Sequence, residues 1–271
     1  SAVEEESSFQ IKKSIKFSDI NNTDTYLQNS TPRFGDRRTF TISMWYKRTR
    51  DHQDNDRLFT THNATTGKSF TIYHDTSGEL VVYDYNGSSY HLKLETRRQM
   101  HDYSAWYHIC IIVDMNNSIE AERCRMYING LRELDFKGGN GYTIPAQGTE
   151  LTINMDTADH PPTIAREGSG DGGYFAGYIA DPQFINGLAL HPASFGEFDA
   201  SGVWNPRELT FPTPNNDASN PTWSNYYDSN NNTPQNGTNA FDGKLTTYTG
   251  ASATHNCGWN PPETIEAKCE I

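Results

Sequence analysis

The sequence predicts an all-β protein, a two-sheet antiparallel jelly-roll sandwich over residues 9–200. Three observations lead there. Short segments rich in β-branched and aromatic residues recur at 40–47 (FTISMWYK), 70–74, 80–85, 106–114 (WYHICIIVD) and 123–129 (RCRMYIN). Gly, Asn and Asp punctuate them. No stretch of a dozen residues carries the 3.6-residue apolar period of a helix. Strands at this spacing without helices between them pack as a sandwich or barrel, not as a parallel α/β sheet.

The hairpin of 106–114 and 123–129 can be read residue by residue. If Val113 faces Cys124, then Ile111 faces Met126 and Ile109 faces Ile128. All six then share one face, because strand side chains alternate with period two. Tyr107 shares that parity, and Cys110 takes the opposite face, so Cys110 and Cys124 have no disulfide geometry. Asn129-Gly130 supplies the positive φ angles of a two-residue hairpin, after which 131–136 is expected to return as a strand. The expected core is Trp45, Ile109, Ile111, Val113, Met126, Ile128 and Ile179.

The C-terminal part differs in composition. Residues 223–271 are Asn-rich, with DSNNNT at 228–233. We divide the chain into a sandwich domain (1–205), a linker (206–222) and an incomplete β segment (223–271), whose last strand-like run, 264–271, suggests a domain cut short at Ile271. The four cysteines (Cys110, Cys124, Cys257 and Cys269) form no CxxC and are expected as reduced thiols.

Charge narrows the function classes. There are 22 basic and 34 acidic residues, a net charge of −12, and the mean hydropathy is −0.77. That argues against nucleic-acid binding, which needs basic stripes, and against docking on anionic membranes. No apolar run reaches a membrane span, and residues 1–10 (SAVEEESSFQ) show no signal-peptide pattern.

Catalytic patterns are weak. TGKS at 66–69 lacks the Gly that a phosphate loop needs five positions before it, since His62 stands there. GSGDGG at 168–173 has no strand–loop–helix context. No Glu-x-Asp-x-Glu strand face suited to glycoside hydrolysis exists, and the nine His show neither HExxH nor HxH. The acidic segments 51–56 (DHQDND) and 156–160 (DTADH) are either solvated loops or a rim site for Ca2+. Binding is expected on the loops 49–56, 61–68 and 156–171. The candidate Ca2+ ligands are Asp51, Asp54, Asp56, Asp156 and Asp159. The candidate glycan-stacking residues are Tyr85, Tyr90, Tyr142 and Tyr174.

The order of motifs resembles the laminin-G/concanavalin-A-like sandwich family. SIKFSDINNTDTYL (14–27) looks like its first strand and FTISMWYKRT (40–49) like its Trp-bearing strand. WYHICIIVD…CRMYING (106–130) looks like its hairpin, and GYIADPQFINGLAL (177–190) like its closing strand. NGLALHPASFGEFDASGVWNP (186–206) is similar to a tail that follows such domains in virion proteins of tailed phages, including marine ones. NAFDGKLTTYTG…CGWNPP (239–262) resembles the start of a discoidin-like, galactose-binding jelly roll. The resemblance implies a non-enzymatic virion protein, assembled in the host cytoplasm: a tail fibre, appendage or capsid decoration. Its partners would be other virion proteins and host-surface polysaccharide, with no nucleic acid and no membrane insertion, and it would be a homo-oligomer, as a trimer. Ca2+ is the only cofactor expected. The alternative is a glycan depolymerase on the same sandwich. Fold underdetermines function, so the choice must come from a site.

Overall fold

The computed structural model describes residues 9–18, 25–29, 35–50, 55–153, 161–167 and 173–209. Its strands are β1 (Ile15–Phe17), β2 (Leu27–Gln28), β3 (Thr39–Arg48), β4 (Asp56–His62), β5 (Ser69–His74), β6 (Glu79–Tyr85), β7 (Tyr90–Gln99), β8 (Tyr107–Asp114), β9 (Cys124–Ile128), β10 (Leu131–Arg132), β11 (Tyr142–Thr143), β12 (Pro162–Ile164), β13 (Gly177–Asn186), β14 (Gly196–Phe198) and β15 (Trp204–Pro206). One sheet has six strands in the order β1-β13-β3-β8-β9-β10, and the other has seven in the order β11-β7-β6-β5-β4-β12-β2. Their ladders are antiparallel throughout. β14 and β15 form a separate ribbon.

Alternation along each strand builds the core. On β3, Phe40, Ile42, Met44 and Tyr46 face inward, against Phe70 and Ile72 of β5 and Leu80 and Val82 of β6. Phe40 meets Phe70 edge-on at 5.6 Å and stacks on Phe184 at 5.8 Å, and Phe184 stacks on Phe59 at 6.1 Å, so rings interlock between the two sheets.

The hairpin has the expected register: Val113 opposite Cys124, Ile111 opposite Met126 and Ile109 opposite Ile128, all in the core. Cys110 and Cys124 are buried free thiols, and burial pushes the Cys124 thiol up to about 12. Trp45 is buried as expected, at 8% exposed, but on the outer face of the six-stranded sheet, opposite His108 and Ala180, because β3 places Met44 and Tyr46 inward. One expectation needs correction. The strand after Asn129-Gly130 ends at Arg132: the chain then crosses to the other sheet, where Phe136 bridges Thr96. Residues 223–271, and 206–222 beyond Leu209, lie outside the described residues.

A buried ion pair ties the two sheets where β3 passes into β4. Arg48 donates from Nε and Nη2 to Asp56 Oδ2 at 3.1 and 2.9 Å, and from Nη1 to the Met100 carbonyl at 2.9 Å. Both side chains are at most 2% exposed. Such a pair adds little over an apolar replacement, but removing one member strands a charge. We therefore expect Asp56→Ala to lower unfolding free energy by about 3–5 kcal/mol in urea denaturation. A loss below about 1 kcal/mol would show that Arg48 finds water or another partner.

Candidate functional site

The seven-stranded sheet carries an aromatic ladder on its outer face. Inward positions on β5 and β6 are Phe70, Ile72, Leu80 and Val82. The opposite parity turns Tyr73, Tyr83 and Tyr85 outward. Register sets Tyr85 opposite Tyr90 and Tyr83 opposite Lys93 and Thr71. The rings form a chain: Tyr73–Tyr83 at 5.8 Å, Tyr83–Tyr90 at 5.3 Å and Tyr85–Tyr90 at 5.3 Å. Tyr90 is 48% exposed, and the other three are half-buried. Small buried residues, Thr71 and Val81, sit between the rings and keep the face low.

Charges flank the ladder. The Arg57 guanidinium lies 4.8 Å from the Tyr73 ring centre, and Lys93 Nζ lies 5.5 Å from that of Tyr90. Glu95 is bridged at 2.7 Å by both Lys93 and Lys137. Burial opposes its ionisation, but hydrogen bonds from Lys137 and Lys93 prevail and hold its carboxyl below the usual range. Burial pushes the Tyr73 phenol up, so it stays a neutral donor. Apolar ring faces beside fixed donors and acceptors are what a sugar, with C–H faces and hydroxyl edges, can use.

Two of the four tyrosines singled out by sequence, Tyr85 and Tyr90, meet here. Tyr142 instead packs on Phe136 at 5.4 Å, on edge strand β11, and Tyr174 lies in the segment leading into β13 of the other sheet. Tyr73 and Tyr83 were missed, although Tyr83 shares parity with Tyr85. Of the proposed Ca2+ ligands, Asp51, Asp54, Asp156 and Asp159 lie outside the described residues. Asp56 opens a strand, and Arg48 supplies the countercharge that the calcium expectation gave to an ion. Among the described residues no three His, Cys, Asp or Glu side chains gather in metal-binding geometry.

A second arrangement on the six-stranded sheet imitates a catalytic triad. Ser43 Oγ lies 2.9 Å from His108 Nε2, and His108 Nδ1 lies 3.1 Å from Trp204 Nε1. An indole N–H can only donate, so Nδ1 is the acceptor and the imidazole proton sits on Nε2. Nε2–H then donates to Ser43 Oγ and cannot take that hydroxyl's proton. Ser43 and His108 are also buried, at 2% and 0% exposed. This chain fastens structure. It joins β3 and β8 to the strap formed by residues 186–209, whose Phe195, Leu188, Leu190 and Leu209 cover Cys110, Ile112 and Ile185. Thr41 Oγ1 helps by donating to the Leu188 carbonyl and accepting from Leu190 N, each at 2.8 Å.

Residues 21–193 match the Laminin_G_3 family, described as the concanavalin A-like lectin/glucanases superfamily, and the chain belongs to it. Among solved structures it is similar to a heptameric SAP-like pentraxin from Limulus polyphemus: 16% identity over 65% of this chain and 77% of that one, TM-score 0.42. It is also similar to the CBM40 of Ruminococcus gnavus IT-sialidase bound to sialyllactose: 13% identity, 58% and 81% coverage, TM-score 0.43. For NanB sialidase from Streptococcus pneumoniae the values are 17% identity, 68% and 28% coverage, and TM-score 0.45. No curated protein sequence matches the chain.

Burial holds both His74 and His108 down to about 3. His74 lies between Tyr46 OH at 2.8 Å and the Gly78 carbonyl at 3.2 Å. Their unfolded counterparts titrate near 6.5, so below that pH the unfolded chain binds more protons than the folded one. Stability is therefore full above about pH 6.5. Each His removes about 1.4 kcal/mol per pH unit as pH falls from there toward 3. NMR should show at least two of the nine imidazoles still neutral at about pH 4.5. Nine ordinary titrations near 6.5 would contradict this burial.

Proposed function

We propose that this chain is a non-enzymatic glycan-binding domain of a tailed-phage virion protein. The role is that of a fibre, appendage or capsid decoration, with host-surface polysaccharide and other virion proteins as partners. The observation that carries the binding reading is the continuous ladder of Tyr73, Tyr83, Tyr90 and Tyr85 on a rigid sheet. Stacked aromatic surface gives weak contacts per ring, and a homo-oligomer such as a trimer multiplies them. The virion reading rests on the resemblance of residues 186–206 to phage virion tails. In this fold that segment lies within the strap fastened by His108.

Hydrolysis has one observation behind it. Asp75 and Glu79 are two acids near the Val81 end of the ladder, and Asp75 Oδ1 accepts from Glu79 N at 3.0 Å. Burial, with the neighbouring Glu79, raises Asp75. Burial also works against Glu79, but its interactions with Asp75 and Lys137 lower it. Environments that push two carboxyls in opposite directions are one thing an acid–nucleophile pair needs. Yet a retaining pair stands about 5–5.5 Å apart to admit the sugar between its members. Glu79 is 5% exposed and paired with Lys137 at 3.1 Å, which leaves no such room. Binding is the better use of this face.

Isothermal titration with host envelope polysaccharide tests the proposal. Tyr85→Ala/Tyr90→Ala should weaken binding at least about tenfold, which is 1.4 kcal/mol, with an unchanged melting midpoint. Reducing ends should not accumulate. Undiminished binding by the double variant would overturn the ladder reading, and steady release of reducing ends would favour the depolymerase.

A further inference from the structure

The strap leaves a groove on the outer face of the six-stranded sheet, opposite the tyrosine ladder. Its volume is about 750 Å3, with Trp45 and Ala180 in its lining. Trp204 and Asn205 of the strap line it too, as do residues 9–14 and Trp106. Three of the five tryptophans of the chain thus gather in one depression. Trp106 is 38% exposed and rests near Tyr178 at 6.4 Å, so an indole face stands ready as a wall. Trp45 is 8% exposed, and its indole N–H has no acceptor among the described residues. A buried donor left unmade is costly, and an acceptor brought by a ligand would relieve it.

Charge selects among ligands. Among the described residues Asp199 is the only carboxylate in the lining. Its Oδ1 accepts from Ser201 N, Ser201 Oγ and Val203 N, and its Oδ2 accepts from Asn205 Nδ2. Lys12 and Lys13 also line the groove, are exposed, and form no ion pair among the described residues. On a chain of net charge −12, two unengaged ammonium groups beside a tryptophan wall favour an anionic ligand over a neutral one. Indole faces favour a ring with an apolar side.

We propose that this groove is a second saccharide site, selective for acidic sugars: a carboxylated ring stacks on Trp106 while Lys12 and Lys13 meet its carboxylate. The site is independent of the tyrosine ladder and lies on the opposite face of the sandwich. Its Trp204 wall is fixed by the indole bond to His108, so the groove is preformed.

The test is an array of uronate- and sialate-terminated oligosaccharides beside their neutral counterparts, probed with the full chain and followed by calorimetry on the best acidic glycan. The native protein should retain acidic glycans in preference to neutral ones. Trp106→Ala should weaken that binding at least about tenfold, and Lys12→Glu/Lys13→Glu should abolish the preference for acid. Tyr85→Ala/Tyr90→Ala should leave it unchanged, which separates this site from the ladder. The proposal is overturned if no acidic glycan is retained. It is equally overturned if acidic binding survives Trp106→Ala, or disappears with the tyrosine variant alone.

Discussion

The hydrogen bond from the Trp204 indole to His108 Nδ1 fastens the C-terminal strap to the sandwich, and much of the outer architecture follows from it. A two-layer sandwich has two outer faces. On the six-stranded sheet, alternation turns Cys110, Ile112 and Ile185 outward, an apolar set that needs a cover. The strap supplies one. Each buried Ile or Phe there contributes about 1.5–3 kcal/mol. The Trp204 ring also explains two glycines. A Cβ at Gly130 or Gly196 would collide with it. Gly130 thus serves twice, because with Asn129 it also takes the positive φ angles of the hairpin turn.

The seven-stranded sheet solves the same problem differently. Its outer face has small buried residues between tyrosines, flanked by the Lys93–Glu95–Lys137 bridge and Arg57. Tyrosine can cover a sheet and still present a hydroxyl to water, and among the described residues no strap crosses this face. The asymmetry orders the functional reading: one sheet is sealed by its own chain except at the tryptophan groove, and the other remains an accessible aromatic surface. Rigidity comes from the core. Interlocked Phe40, Phe59, Phe70 and Phe184 and the Arg48–Asp56 pair hold both sheets in register, which keeps the ladder rings at fixed spacing.

Local patterns were legible in the sequence where period and turn chemistry agree. Once Val113 is set opposite Cys124, parity carries the rest of the 107–128 register, and Asn129-Gly130 marks the turn that follows. The burial of Trp45 follows from its size, but the face it takes follows only from strand parity with Met44 and Tyr46. The strand after the turn was drawn too long because nothing local marks where a chain leaves one sheet for the other. Tyr85 and Tyr90 were found, but Tyr73 joins them only through the β5–β6 pairing. Asp56 looked like part of an acidic loop because its partner Arg48 is separated from it by a segment whose path the sequence does not reveal. The strap's role was hidden for the same reason: its contacts are long-range, from residue 204 back to residue 108.

The most direct test compares two shortened chains, one ending after residue 209 and one after residue 194, by thermal unfolding and binding of a hydrophobic dye. The shorter chain loses Phe195, Trp204 and Leu209 while keeping every strand of the two sheets. If the strap seals the six-stranded sheet, that chain should melt at least about 5 °C lower and bind the dye strongly, whereas the chain ending at 209 should be compact and dye-free. Equal melting and equal dye exclusion would contradict the account.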